Sequence, residues 1–191
     1  MKDLLNYYQA RQEPGKLFGR SQLEPGDIPD ILPHLALLSV EPGLLKIRLI
    51  GTLLVERFGF DLTGKNLLDF LPPDLGGKYE NLFTEALGRK FGALATYELP
   101  RAHLPPLEIE MILLPMSDRE GRENLIMFAI GYISDEVRHE GFGGDLTAPG
   151  LKSLLGIDLG FGLPDLVGKV GDGDWFNTPG KAGKKAGART E

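Results

Sequence analysis

The sequence predicts an α+β fold in which two strands, a block of helices and three further strands follow one another. Leu45, Ile47 and Leu49 alternate with two basic residues, which is the period-two pattern of a strand with one buried face. Several short helical segments follow this strand, whereas a βαβ crossover would have a single long helix. Apolar segments at 93–99, 107–116 and 123–134 then predict the last three strands.

The residues before this strand are predicted to form a short helix and the first strand. Leu4, Leu5, Tyr7 and Tyr8 give the N-terminal helix an apolar side. Residues 35–40 are apolar enough for a strand, and the Pro-Gly pair that follows is typical of a type II turn. The first two strands are therefore expected to be neighbours.

Glycines divide the next part of the chain into short helices. Gly51 is expected to supply a turn, and Thr52 to cap a helix that ends at Gly59. Thr63 and Gly64 break the chain again before a second short helix. Its predicted N-cap is Asn66, followed by residues 67–70.

One longer helix is predicted over residues 77–91. Its apolar residues recur at helical spacing and are Tyr79, Leu82, Phe83, Ala86, Leu87 and Phe91. Gly92 is expected to end this helix, whose apolar face would lie on the sheet.

Several separated motifs, taken together and in order, resemble a PAS-like family of short single-domain bacterial proteins. They are Arg20-Ser21, Ile28-Pro29, Leu32-Pro33-His34-Leu35, Arg48-Leu49, Gly51-Thr52, Phe58-Gly59, Asp61-Leu62-Thr63-Gly64 and Leu113-Leu114-Pro115. The resemblance covers residues 4–134. It implies a five-stranded antiparallel sheet with short helices on one face and, between them, a space that can hold a small ligand. It implies no enzymatic activity.

Composition excludes several classes of function. The 191 residues include no Cys, which rules out disulfides, thiolate catalysis and Cys-ligated metals. A formal charge of −6 argues against a nucleic-acid-binding protein. The sequence contains no apolar stretch long enough to span a membrane and no signal peptide, so the expected location is the cytoplasm.

No catalytic residue, metal site or cofactor is predicted. His34, His103 and His139 are scattered, and none is followed at helical spacing by another metal ligand. Haem-binding PAS domains place a His on the long helix, which here has none, and light-sensing flavin chemistry needs a Cys. Glu108 and Glu110 share a strand face and could form an acid/base pair, but a solvated outer face is the favoured interpretation.

A candidate ligand pocket lies, by prediction, between the helices and the inner sheet face. Its residues are Leu49, Phe58, Phe70, Tyr79, Phe83, Met111 and Met127. The favoured alternative is that these side chains simply fill the core. Arg48 interrupts an apolar strand and is expected to pair with a carboxylate of the domain or, alternatively, to bind a phosphate or carboxylate of a partner.

Composition shifts near residue 140. Residues 1–138 are assigned to the PAS-like domain and 139–170 to an apolar, Gly-rich appendage that forms short docking helices or binds a partner. Residues 171–191 are predicted to be a disordered tail in which Trp175-Phe176 is an anchor. A homodimer is possible if the appendage docks on a second subunit.

These patterns lead to one functional hypothesis and two rivals. The hypothesis is a non-enzymatic sensory or interaction module, a stand-alone regulator or adaptor in bacterial signal transduction. It would act in trans on a signalling protein such as a kinase or regulator. The rivals are a carrier of a small apolar molecule and an enzyme with an unfamiliar site, which would need a strongly perturbed titratable group in a cleft.

Overall fold

The computed structural model of the chain describes residues 1–71, 73–101, 104–132 and 150–164. The strands are β1 (Phe18–Gly19), β2 (Leu35–Glu41), β3 (Leu44–Ile50), β4 (Phe91–Arg101), β5 (Leu104–Ser117), β6 (Leu125–Tyr132) and β7 (Gly150–Asp158). The α-helices are α1 (Lys2–Arg11), α2 (Thr52–Phe58) and α3 (Pro73–Arg89). Short 3₁₀ turns lie between them, including one at Leu67–Phe70.

The strands form one sheet in the order β3-β2-β6-β5-β4-β7, and every neighbouring pair in this path is antiparallel. The two-residue strand β1 pairs in parallel with the end of β5. The predicted α+β fold is confirmed, because β3-β2-β6-β5-β4 is the predicted five-stranded antiparallel sheet. Strand β7 extends that sheet by one strand beyond β4.

A β-bulge interrupts the pairing of β2 with β3. Leu37 lies opposite Leu49 and Leu38 lies opposite Ile47, so that Arg48 is an extra residue without a cross-strand partner. The bulge changes the face to which the following side chain points. The prediction that Leu49 shares a buried face with Leu45 and Ile47 is therefore wrong.

The helix side of the sheet carries the larger core, here called the helix-side cluster. It joins α2, α3 and the loop between them to all the main strands, and its large buried members include Leu38, Leu45, Ile47, Leu54, Leu62, Leu82, Phe83, Phe91, Met111 and Leu113. Burial of this apolar surface is the main stabilising contribution to the packing of helices on the sheet.

The opposite side of the sheet is covered as well, by α1 and the N-terminal turns. This N-terminal cluster contains Leu4, Tyr8, Phe18, Leu35, Leu37, Ile112, Leu114, Met116 and Met127. The Tyr8 and Phe18 rings stack with their centroids 5.1 Å apart. The resemblance implies short helices on one face of the sheet. This holds for α2 and α3, whereas α1 lies on the opposite face.

Helix α3 begins and ends earlier than its apolar spacing predicts. Its last residue is Arg89, and Lys90 adopts a left-handed conformation with φ 56°. Phe91, predicted to be the last apolar residue of the helix, is instead the first residue of β4 and fully buried. Its side chain faces the helix-side cluster from the sheet, so apolar spacing alone did not distinguish helix from strand here.

Residues 150–158 of the appendage form strand β7, and the prediction of short docking helices is wrong for this segment. β7 pairs antiparallel with β4, with Asp158 opposite Phe91 at one end and Gly150 opposite Glu98 at the other. The segment therefore docks on its own chain. Glycines that oppose a helix are tolerated here, because β4 offers backbone partners along its edge. The remainder of the appendage and the predicted tail lie outside the described residues.

Candidate functional site

The connection from β3 to α2 is tightly packed around Gly51. A Cβ at this position would lie 2.2 Å from the Leu32 carbonyl oxygen and 2.4 Å from that of Pro33. Gly51 has an ordinary φ of −70° and is the N-cap residue, while Thr52 is the first helical residue. The expectation that Gly51 supplies an unusual turn and that Thr52 caps the helix is therefore wrong. The glycine is needed for close approach instead.

The loop that follows α2 is held to the edge of β3. Gly59 ends the helix in a left-handed conformation, as predicted, with φ 79°. The Thr63 N–H donates to the Asp61 carboxylate, and the Gly64 N–H donates to the Ile47 carbonyl oxygen at 2.7 Å. Asn66 caps the 3₁₀ turn as predicted, since its side chain accepts from the Leu68 N–H. These motif residues have structural roles in this loop.

Four of the seven predicted pocket residues meet between the helices and the sheet. Phe83 and Met111 are buried members of the helix-side cluster, and Phe58 and Tyr79 pack against it. The Tyr79 and Phe83 rings meet edge to face with centroids 5.8 Å apart. These four residues form the candidate site, at the contact of α3 with β4 and β5.

The other three predicted residues lie elsewhere. Met127 is fully buried and Leu49 partly buried, but both belong to the N-terminal cluster on the opposite side of the sheet. Leu49 is turned there by the bulge. β6 is apolar on both faces, so its sequence alone cannot show which face Met127 occupies. Phe70 is 38% exposed and pairs with the ring of Phe60 at the surface.

A pair of tyrosines brings polar groups into the candidate site. Tyr97 of β4 is buried, and its hydroxyl and that of Tyr79 on α3 form a hydrogen bond. Burial raises the pKa of Tyr97 well above its usual value, and the proximity of Tyr79 and its hydrogen bond add to that rise. Burial also raises the pKa of Tyr79, while the hydrogen bond from Tyr97 opposes that shift. Both phenols therefore stay protonated at neutral pH.

The pocket prediction omitted Tyr97, although the sequence contains a signal for it. Ala93, Ala95, Tyr97 and Leu99 alternate along β4, and all four face the helix-side cluster. Strand periodicity therefore places Tyr97 on the same face as the candidate pocket.

Two arginines differ from what their sequence context indicates. Arg48, at the bulge, is exposed and forms no ion pair with any part of the chain that the structure describes, and the carboxylates of Asp135 and Glu136 lie outside those residues. Arg57 of α2 is instead the buried one, with 8% of its surface exposed. Its position in the helix gives no sign of this, because the turn at Leu32–His34, which contacts α2, comes from a distant part of the chain.

Carboxylates on the other face of β4 and β5 are paired with a lysine of β7. Glu98 and Glu108 lie directly opposite each other in adjacent strands, and the Lys152 ammonium forms ion pairs with both. Its hydrogen bonds to Glu108 and Glu98 raise the pKa of Lys152. The Glu108–Glu110 acid/base hypothesis gains no support, since Glu108 is engaged in a surface ion-pair network.

Histidine and acidic side chains do not assemble into a metal site within the described residues. His34 Nδ1 lies 3.2 Å from the Ile130 carbonyl oxygen, whereas His103 and His139 are outside those residues. No helix in the described part of the chain is long and apolar enough to cross a membrane.

Comparison with known families gives one match. A family model for the PAS domain matches residues 1–131. This range includes strands β1 to β6, except for the last residue of β6, and it does not include β7. No curated protein matches the chain. The match covers both faces of the sheet, including α1 and the N-terminal cluster.

Proposed function

Because the chain belongs to the PAS domain family, we propose that it is a non-enzymatic sensory or interaction module that regulates a separate signalling protein. PAS domains act generally as sensory or interaction modules. The finer role proposed here is that of a cytoplasmic regulator or adaptor in bacterial signal transduction, with a kinase or response regulator as partner. Thr52 and Glu56 of α2 and Phe60 after it are exposed and available for such a contact.

The observation that carries this proposal is the Tyr79–Tyr97 hydrogen bond. It joins α3 to β4 inside an otherwise apolar contact, so its geometry depends on where the helix lies against the sheet. A displacement of α3 would break this bond and leave a buried hydroxyl without its partner, which costs about 1–3 kcal/mol. A sensory module requires a second arrangement of the helix block, and in the proposed mechanism that arrangement lacks the Tyr79–Tyr97 bond.

Strand β7 connects this site to a different edge of the molecule. Tyr97 lies opposite Leu151 of β7, and Leu154 belongs to the same helix-side cluster as Phe83 and Met111. These contacts support the proposal that a change in the packing of α3 alters β7. In the proposed mechanism, a partner or ligand shifts the helices against the sheet, and β7 and the α2 surface present the change to the signalling protein.

The proposed coupling is tested by hydrogen–deuterium exchange on the full-length protein with Tyr97→Phe. We expect faster exchange in both α3 and β7, because the substitution removes the bond that holds the helix against β4. Tyr7→Phe is the matched control, since its hydroxyl bonds to Glu24 on the opposite side of the sheet. Unchanged exchange in β7 with Tyr97→Phe would contradict the mechanism.

Partner capture tests the role itself. Wild-type protein used as bait in its host is expected to retain a kinase or response regulator, and Tyr97→Phe to change the amount retained. Failure to enrich any signalling protein would count against the adaptor role.

A small-molecule carrier is the second candidate, favoured by the polar tyrosine pair next to Phe83 in an apolar site. A native mass spectrum of protein purified from its host separates the two functions. If every molecule carried extra mass that is lost on denaturation, and partner capture retained no signalling protein, the carrier function would be supported.

A further inference from the structure

The loop after α2 displays two aromatic rings at the surface. Phe60 is 46% exposed and Phe70 is 38% exposed, and their ring centroids are 5.5 Å apart. Paired exposed aromatic side chains offer more contact area than the isolated apolar residues that ordinary surfaces carry. We define this pair as the aromatic patch.

The backbone beneath the aromatic patch is fixed at several points. Leu62 is 1% exposed and anchors the loop in the helix-side cluster. The Gly64 N–H bonds to Ile47, and the Asn66 side chain accepts from the N–H groups of Leu45 and Leu68. The two rings are therefore held outward by a structured loop, which lowers the entropic cost of binding.

Acidic side chains flank the aromatic patch. Asp61 follows Phe60 in the chain, Asp69 precedes Phe70, and both are exposed. Hydrogen bonding from Thr63 lowers the pKa of the Asp61 carboxyl, which keeps it charged. Glu56 and Lys65 are the other exposed charges between residues 56 and 70, so the surface has an acidic excess. Its complement is a segment that combines aromatic and basic residues.

The chain itself contains such a segment. Trp175, the single tryptophan of the sequence, is adjacent to Phe176. Beyond them come four basic residues and one acidic residue, namely Lys181, Lys184, Lys185, Arg189 and Glu191. Asp172 and Asp174 precede Trp175, so the basic excess lies on the C-terminal side of the aromatic pair, beginning at Lys181. An aromatic anchor followed by this basic part matches the aromatic patch and its carboxylates.

The segment can reach the patch from the last described residue. Phe161 lies beneath the Lys90 ammonium at the C-terminal end of α3, whereas Phe70 lies three residues before that helix begins. The helix has 17 residues and is therefore roughly 25 Å long. Ten residues lie between Pro164 and Trp175, and the eleven steps along the chain span roughly 36–40 Å when fully extended. Leu159 and Phe161 pack in the N-terminal cluster, so the linker must also pass the edge of the sheet, and the span uses most of its extended length.

We infer that the Trp175-Phe176 segment of this chain docks on the aromatic patch formed by Phe60 and Phe70, with its basic residues near Asp61 and Asp69. Tethering makes this an intramolecular association whose effective concentration is set by the length of the linker. The docked segment would cover the surface that the α2 loop offers to other proteins. This inference does not depend on the Tyr79–Tyr97 mechanism.

Fluorescence of Trp175 tests the inference directly, because no other tryptophan contributes to the emission. We expect Phe60→Ser with Phe70→Ser to shift the emission to longer wavelength and to increase quenching by acrylamide. Leu155→Ser is the matched control, since Leu155 is an exposed apolar residue on β7. Unchanged emission in the double variant, with circular dichroism showing a folded protein, would overturn the inference.

Removing the acidic charges of the patch and varying the protein concentration test the inference further. Asp61→Asn with Asp69→Asn, or added salt, is expected to shift the emission in the same direction as the phenylalanine variants. The wild-type emission is expected to be independent of protein concentration. A concentration-dependent emission would mean that a second copy occupies the patch, and would overturn intramolecular docking.

The absence of cysteine allows a second, independent measurement. Asp61→Cys with Asn177→Cys is expected to form an intramolecular disulfide under mild oxidation faster than Arg119→Cys with Asn177→Cys. Arg119 is exposed in the turn between β5 and β6. Equal rates for the two pairs would contradict docking at the aromatic patch.

Discussion

The Tyr8 hydroxyl joins three distant parts of the chain on the N-terminal side of the sheet. It donates to the Pro115 carbonyl oxygen of β5 at 2.7 Å and accepts from the Phe18 N–H at 3.3 Å. The ring itself is fully buried and stacks on Phe18. Tyr8 therefore orients α1 on the sheet by polar contacts in addition to apolar burial.

Tyr8→Phe is expected to lower the free energy of unfolding by about 1–3 kcal/mol, because the Phe18 N–H and Pro115 carbonyl lose a buried partner. Urea unfolding of the full-length protein measures this change. Tyr7→Phe should cost less, since its hydrogen bonds to Gln22 and Glu24 are only partly buried and water can replace them. Equal losses in the two variants would show that Tyr8 has no special role.

Gly51→Ala tests the other close contact at residue scale. The added methyl group would collide with two backbone carbonyl groups, and relieving that collision is expected to cost about 1–3 kcal/mol or more. Gly88→Ala is the matched control, because a Cβ there meets nothing within 4 Å and Ala favours the helix by about 0.5–1 kcal/mol. Thermal unfolding should show a lower midpoint for the first variant and an unchanged or higher one for the second.

At the scale of elements, the docking of β7 on β4 depends on side chains that alternate between the buried and the exposed face of the strand. Leu154 is 3% exposed within the helix-side cluster, whereas the adjacent Leu155 is 59% exposed. Lys152 adds ion pairs to Glu98 and Glu108, which would otherwise repel each other as directly opposed like charges. Both contributions explain why a segment beyond the matched PAS region extends the sheet.

Leu154→Ala is expected to destabilise the protein by about 2–5 kcal/mol, the cost of a cavity in a packed core, and to speed hydrogen exchange in β7. Leu155→Ala provides a control at the next position and should change stability by no more than about 0.5 kcal/mol. If the two alanine variants unfolded at the same urea concentration, β7 would not be docked in solution as the structure shows.

At the scale of the whole molecule, buried tyrosines on both sides of the sheet link stability to alkaline pH. Burial raises the pKa of Tyr8, Tyr79 and Tyr97. The unfolded chain loses these protons near pH 10, while the folded protein keeps them to higher pH. Above pH 10 the unfolded state thus binds fewer protons, and the free energy of unfolding falls as the pH rises.

We expect this fall to approach about 1.4 kcal/mol per pH unit for each tyrosine that stays protonated in the folded state. Urea unfolding between pH 9 and pH 11 measures the slope. Tyr97→Phe should make the slope shallower, because one of the linked groups is removed. A slope identical to that of the wild-type protein would show that Tyr97 titrates freely in the folded state.

The sequence predicted local elements well where one residue decides the backbone. Gly59 ends α2 with a positive φ, and Asn66 caps the turn after it, because these effects act within one helical turn. The candidate site was predicted in part. Phe58, Tyr79, Phe83 and Met111 meet as expected, whereas Leu49 and Met127 lie on the other face and Phe70 lies at the surface.

By itself, the sequence determined the order of the three α-helices and the five strands β2 to β6, the α+β class and the PAS family. Tertiary structure decided the rest: the bulge at Arg48, the face of Met127, the burial of Arg57 and the pairing of β7 with β4. The physical reason is the range of the interactions. Turns and caps depend on neighbouring residues, but the face of an apolar strand and the partner of a sheet edge depend on groups far away in the chain.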